Sequence, residues 1–458
     1  MGKRIFSAPT TVNLEITEAC NVKCRHCYNF WREESAGRYS LDREKIDKFA
    51  EMFQEAGVFH VILSGGEPFA KFDLLEYSIR RFSEAGLSVS CNSNLMLATE
   101  ENCQRLMEAG LDHILTSWCS SDPAEMDYIM GMVGSYEKVV SGIKAATAAG
   151  IRVSVNTIVS NNNKNRVYDS GKFLHSLGIT KFFAHRTIPP AYDREDKDDQ
   201  HLITKEDAIE TLDELLQLKE DTGLVVGTLI SYPLCMLGDL EKYQDFVGRG
   251  CPSQRGHRFS INADGQTHCC VMEDEAYGNV FEIGLKEAYL NTKPWHDTSY
   301  RYEGCKGCHY LEICESGCRM SALAATGEMN GRDPLMVGKE AFVKPYTFQH
   351  DPKVRASIER GVSLRAPDRL RFRKEDGYYL LNIRWGNTII VETQVAEFLM
   401  RYKESGDDFT IKDAEHLGAE TLADLFFKDA LESDEITVID ERDTKGVSFD
   451  PSTLVTAG

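Results

Sequence analysis

The sequence predicts an α/β chain: a parallel sheet with crossover helices, then a small cysteine-rich domain, then an α+β module. Three observations predict this. Up to about residue 223, strand-like segments alternate with helix-like ones six times, the pattern of a parallel sheet joined by crossover helices. Residues 250–335 are rich in cysteine and glycine and lack long periodic segments, as expected of a region held by metal rather than by a large apolar core. Beyond residue 367, short alternating runs with turn signals give way to helical periodicity.

The expected strands of the first part are 11–16, 59–63, 87–91, 113–118, 152–158 and 181–185. The expected helices are 42–57, 73–86, 100–110, 135–150, 164–178 and 204–223; they end at glycine, the residue that most easily takes the left-handed cap conformation. Six such units make an open sheet or a partial barrel, and in either the functional end is the C-terminal end of the strands. From about Leu224 the pattern weakens, and 341–366 reads as a connector. In the last module, 369–374, 378–383 and 388–391 read as strands with turns at Asp376-Gly377 and Gly386-Asn387. Helices follow at 392–404, 411–417 and 420–431, with a final strand at 435–439.

Composition bounds the function. A chain of 458 residues is longer than one average domain. Hydrophobic residues at 42% and charged residues at 27% exclude overall disorder. There is no uninterrupted apolar run of about 18 residues to span a membrane, and the basic N-terminus lacks the apolar stretch of a signal peptide. A cytoplasmic location is expected. The net charge of −20 argues against a general grip on nucleic-acid phosphates. Fourteen cysteines in such a chain point to metal or redox chemistry.

Three of these cysteines lie in Cys20-Asn-Val-Lys-Cys24-Arg-His-Cys27-Tyr28, just after the first expected strand. Thiolates suit iron–sulfur clusters and zinc. A [4Fe–4S] cluster ordinarily takes four cysteines, so three leave one iron open; a zinc knuckle is the competing reading. Ser64-Gly65-Gly66-Glu67-Pro68 follows the second strand, where glycine permits close backbone approach and Glu67 can accept from an ammonium. Asn92-Ser93-Asn94 ends the third strand and Val155-Asn156-Thr157 lies on the fifth. Together these segments resemble the radical SAM superfamily over residues 8–230.

That resemblance implies a partial (β/α)6 radical SAM barrel. It implies a [4Fe–4S] cluster on Cys20, Cys24 and Cys27, with S-adenosyl-L-methionine (SAM) on the open iron. Contacts to SAM would come from Tyr28, Gly65, Gly66, Glu67, Pro68, Asn94 and Asn156. Reductive cleavage would give methionine and a 5′-deoxyadenosyl radical, with the electron supplied by a donor such as flavodoxin or ferredoxin.

A second cysteine group reads Cys305-x2-Cys308-x5-Cys314-x3-Cys318, preceded by Cys251, Gly265 and Cys270 in C-x13-G-x4-C. This resembles the SPASM extension, expected over residues 231–340, which carries one or two auxiliary Fe–S clusters. The resemblance implies Cys251, Cys270 and Cys318 on one cluster and Cys305, Cys308 and Cys314 on the other, with Cys269 replacing or joining Cys270. A structural zinc site is the competing reading. The last cysteine of the pattern is missing: Met336 stands there, after Asp333-Pro334, and Asp333, water or a substrate group is expected to complete that cluster, if it forms.

The C-terminal module, 367–445, resembles the PqqD-like RiPP recognition element, a small winged-helix-like fold that takes the leader of a precursor peptide as an added strand. It would concentrate that peptide near the barrel; the alternative is a cap that binds nothing. Cys91, Cys119 and Cys235 are candidates for returning a hydrogen atom to a substrate radical, against simple packing, and His185 and Arg186 end the sixth strand. The leading expectation is a radical SAM/SPASM maturase that crosslinks a ribosomal precursor peptide through a thioether or C–C bond. Epimerisation, sulfatase-maturase-like oxidation, a small-molecule enzyme and a non-catalytic Fe–S scaffold are the alternatives.

Overall fold

The computed structural model describes residues 5–29, 39–188, 202–248, 250–345 and 352–436. These fall into two compact units, divided between residues 346 and 347.

The first unit is organised by one sheet. Strands β1 (Thr11–Thr17), β2 (His60–Gly65), β3 (Ser88–Ser93), β4 (Leu111–Ser117), β5 (Arg152–Val159), β6 (Lys181–Arg186) and β7 (Val225–Gly227) lie side by side in sequence order, all parallel. Right-handed crossovers in unbroken order put every connecting helix on the same face. That layer comprises α1 (Arg43–Glu55), α2 (Phe72–Glu84), α3 (Glu100–Glu108), α4 (Pro123–Met130), α5 (Ser135–Ala148), α6 (Val167–Ser176) and α7 (Lys205–Thr222). Phe49 and Phe53 of α1 and Phe82 of α2 are fully buried there, and the rings of Phe53 and Phe82 stack at 5.7 Å.

The two faces of the sheet differ in chemistry. Leu14, Leu63, Cys91 and Ile114 stand in register on the helix side, all completely buried. The alternate residues carry polar groups bonded from strand to strand on the opposite face. Asn13 donates to Ser64 at 2.9 Å, His60 bonds Ser88 and Ser90 at 2.9 Å, and His113 bonds Ser154 at 2.8 Å. The side without helices is thus a polar interior, the form taken by a partial barrel.

The cysteine-rich segment joins this sheet. Strand β8 (Arg258–Ile261) pairs in parallel with β1, and β9 (Thr267–His268) pairs antiparallel with β8. Short helices follow: α8 (Val280–Ile283), α9 (Leu285–Asn291), α10 (Lys293–His296), α11 (Leu311–Cys314) and α12 (Arg319–Thr326). Arg319, 1% exposed, donates to the carbonyls of Tyr300, Met329 and Gly331 at 3.0 Å and to that of Ser316, knitting these loops together.

In the second unit, β10 (Arg371–Lys374), β11 (Tyr379–Arg384) and β12 (Asn387–Val391) form an antiparallel meander with β11 in the middle. Helix α13 (Pro352–Glu359) falls in the stretch expected as a connector, and its Val354 and Ile358 enter this unit's core. Helices α14 (Thr393–Ser405) and α15 (Gly418–Phe427) complete it, with Phe398 edge-on to Phe409 at 4.9 Å. Residues 411–417, expected as a helix, form successive turns, with Asp413 accepting from the amide and hydroxyl of Thr410 at their start. Residues 435 and 436 are not in a strand, and 437–439 lie outside the described residues.

Burial depresses His113 to about 4. Between about 6.5 and 4 the unfolded chain therefore binds a proton that the folded chain refuses, so stability falls as pH drops through that window. His113→Gln should flatten the decline there, read as urea midpoints at pH 7, 5.5 and 4.5; an unchanged slope would contradict the assignment.

Candidate active site

The Cys20–Cys27 loop leaves β1 at the C-terminal edge of the sheet and is clamped from two sides. On one side is the turn after β2. Gly66 N donates to Thr17 O at 2.7 Å and Glu67 N to Ala19 O at 2.8 Å. A Cβ on Gly65 would strike the Thr17 carbonyl, and one on Gly66 those of Ala19 and Glu18, so only glycine lets the two backbones meet. Gly65 also sits at φ +136°, outside the ordinary range of side-chain residues. On the other side is α4, which the sequence reading passed over. Arg25 N donates to Ile129 O at 2.9 Å, the Arg25 guanidinium lies 4.1 Å over the Tyr128 ring, and the Cys24 thiol points at Met130 Sδ, 3.8 Å away. The Asp122-Pro123 start and Gly131 C-cap of α4 were the available signals.

Glu67 is 1% exposed. It accepts from Ser93 Oγ at 2.7 Å, Asn94 N at 2.8 Å and Phe69 N at 3.0 Å, so its carboxylate stitches the end of β2 to the end of β3. Burial raises its pKa against the pull of those three donors. Pro68 follows, buried, at the start of a short 3-10 turn. Asn94 is likewise engaged: its side chain donates to Asn21 in the cysteine loop at 2.9 Å and accepts from Met96 N. Both residues support the loop. Asn156 differs. It lies on the interior face of β5, 8% exposed, and its Oδ1 has no hydrogen-bond partner among the described residues. His185, next to the end of β6, is on the same face, beside His26 of the cysteine loop, and burial holds it near 3.

Tyr28 lies among Cys27, Glu15, Arg258 and Cys270, and burial with the Glu15 charge raises its hydroxyl. It thus spans from the first cysteine group to the second. There, burial raises the Cys251 and Cys270 thiols, with Cys318 close enough to both to add to the rise. Cys269 instead enters an apolar cluster with Ile188, Trp295 and Met320, its thiol donating to Ser253 O at 3.8 Å. Cys305, Cys308 and Cys314 line a separate cavity. Between Cys314 and Cys318 the chain runs left-handed through Glu315 (φ 52°), Ser316 (φ 64°) and Gly317 (φ 77°). For Glu315 and Ser316 this costs roughly 1–2 kcal/mol each.

Asp333 has both carboxylate oxygens engaged. One of its oxygens accepts from Arg186 at 2.8 Å and Leu335 N at 3.0 Å, the other from Arg186 at 2.6 Å and Cys318 N at 2.9 Å. Burial would raise this carboxyl, yet Arg186 and the two backbone donors hold it below the ordinary value. The candidate hydrogen donors scatter. Cys91 faces the helix layer near Cys103, Cys119 is 2% exposed with its thiol pushed up to about 12 by burial, and Cys235 sits with Cys305 and Cys314.

The donor set fits a cluster and SAM. The loop offers three thiols with no disulfide partner, and the interior beside it holds an unsatisfied amide oxygen. Gly66→Ala should push the loop off its seat and cut the iron and sulfide taken up in anaerobic reconstitution by about four atoms each, one [4Fe–4S] unit. Full uptake would contradict the clamp.

Comparison with known proteins agrees with this geometry. The radical SAM superfamily model matches residues 14–173. An AdoMet-dependent heme synthase of Methanosarcina barkeri is 25% identical over 349 residues, 72% of this chain and 97% of that protein. A PqqA peptide cyclase of Gluconobacter oxydans is 27% identical over 367 residues, 78% of this chain and 96% of that protein. Among solved structures, Streptococcus suis SuiB superposes with a TM-score of 0.57 at 17% identity, covering 72% of this chain and 78% of SuiB. AdoMet-bound anSMEcpe gives 0.54 at 17% identity, covering 73% and 92%. A radical SAM domain implies a [4Fe–4S] cluster and SAM. Among the described residues no helix is long and apolar enough to cross a membrane. The chain is an enzyme with a radical SAM domain at residues 14–173.

Proposed function

We propose that this enzyme modifies a ribosomally made precursor peptide, forming an intrapeptide thioether or C–C crosslink. The observation that carries the reading is the joining, in one chain, of the clamped cysteine loop over a polar interior to a separate unit with strand edges. Among the described residues β10 and β12 each pair on one side only, and β12 presents Ile390 at 41% exposure. An extended leader would add there as a strand, its backbone supplying the hydrogen bonds. Relatives include peptide cyclases, and one SuiB structure is described as bound to the precursor peptide SuiA. The heme-synthase relatives favour a small-molecule substrate instead; the second unit weighs toward a peptide.

In this reading Cys20, Cys24 and Cys27 hold the [4Fe–4S] cluster. With SAM and one electron from a donor such as flavodoxin or ferredoxin, that site supplies a 5′-deoxyadenosyl radical for hydrogen abstraction. The chain's own residues set the geometry. Gly65 and Gly66 bring the β2 turn against the loop, Glu67 and Asn94 lock it, and Asn156 offers its free oxygen to SAM. Cys251, Cys270 and Cys318 would hold one auxiliary cluster, and Cys305, Cys308 and Cys314 three corners of another. These would draw an electron from the substrate radical, which crosslinking requires and epimerisation does not.

Cys24→Ala should abolish SAM cleavage and leave auxiliary EPR signals in place; retained turnover would refute the assignment. A chain ending at residue 346 should bind precursor peptide about a hundredfold more weakly while still cleaving SAM without peptide. Equal affinity would rule out leader capture by the second unit and favour the small-molecule reading.

A further inference from the structure

We propose that Cys235 is the fourth thiolate of the auxiliary cluster held by Cys305, Cys308 and Cys314. The inference rests on the auxiliary-cluster reading above and fills the gap left where Met336 replaces a cysteine.

Cys235 and those three cysteines line one cavity of about 260 Å³, far more than a packing gap that admits one water. Cys235 is held there by its backbone. It lies in a 3-10 turn, Leu234–Met236, entered through Pro233. Leu234 N donates to the Cys314 sulfur at 3.5 Å, and Gly338 N donates to the Cys235 sulfur at 3.5 Å. Such N–H···S bonds steady cluster thiolates and tune their potentials. Four thiolates around one cavity match the ordinary ligand set of a [4Fe–4S] cluster.

The other candidates are poorer donors or already committed. Asp333 has both oxygens engaged by Arg186 and backbone amides. Met336 offers a neutral thioether, which takes the Cys305 thiol at 3.6 Å. His309 lines the cavity but follows Cys308 directly and adds no new segment to the site. Cys235 lies far upstream of its partners, before Cys251, which is why the spacing pattern does not reveal it. A cluster closed by four thiolates has no open iron. It passes electrons and does not bind the substrate.

The test uses the full chain with Cys20, Cys24 and Cys27 replaced by Ala, so that only auxiliary iron is counted. This parent should hold about eight irons, two [4Fe–4S] clusters. Adding Cys235→Ala should remove about four irons or yield a three-iron signal in the oxidised state. Cys235→Ser, which keeps size and an oxygen donor, should retain iron but shift the EPR spectrum of the reduced protein. Met336→Leu and His309→Gln should change neither. The proposal is overturned if Cys235→Ala and Cys235→Ser both keep the parent's iron and spectrum, or if Met336→Leu or His309→Gln takes the loss instead. A parent holding no more than about four irons overturns the auxiliary-cluster reading itself, and the proposal with it.

Discussion

The guanidinium of Arg186 and the carboxylate of Asp333 are almost wholly withdrawn from water, with side chains 3% and 0% exposed. Removing either partner from such a pair costs roughly 3–5 kcal/mol, because the survivor is left charged and unsolvated. Here the pair also joins distant parts of the chain. Arg186 ends β6 of the sheet, and Asp333 accepts from the amide of Cys318 and lies next to the segment carrying Met336. The second cysteine segment is therefore anchored to the strand whose His185 stands beside His26 of the first cysteine loop. A single buried ion pair thus ties the cysteine-rich segment to the end of the sheet.

Polar groups beside the first cysteine loop also differ in how far they are committed. Glu67 and Asn94 sit in motif positions yet spend their hydrogen-bonding capacity on Ser93, Phe69, Asn21 and Met96. Asn156 keeps an oxygen free. A buried unsatisfied carbonyl is costly in an enzyme with an empty site and is repaid when a ligand donates to it. The backbone between Cys314 and Cys318 carries a related cost, in strained dihedrals rather than unmet hydrogen bonds.

Much of the sheet was legible because each strand is an apolar run closed by a helix that stops at glycine. The six expected strands correspond to β1–β6 with ends shifted by up to two residues. The omissions share a cause: they are short, and tertiary contacts define them. Helix α4 has eight residues and no strong amphipathic pattern, β7 has three, and β8 and β9 lie in a segment whose cysteines mask its alternation. The cysteine motifs were readable because their members are close in sequence. Cys235 stands apart from those runs, and only the fold brings it to the cavity lined by Cys305, Cys308 and Cys314. Asp333 was noticed for the right neighbourhood, but nothing local in the sequence announces that Arg186 claims it.

Strand β8 reaches β1 across a gap of about 247 residues, the separation of Thr10 and His257, which hydrogen-bond at this junction. During synthesis β1 pairs early with β2 on one side, while its other edge stays open until more than half of the chain has emerged. An unpaired edge is a template for other strands, from this chain or a neighbour. Long-range pairing of this kind also folds slowly. The backbone clamps of the N-terminal cysteine loop all lie before residue 132 and so need none of the chain that closes that edge. The order of translation thus favours a first half that is ready to receive its metal while the second half is still being made.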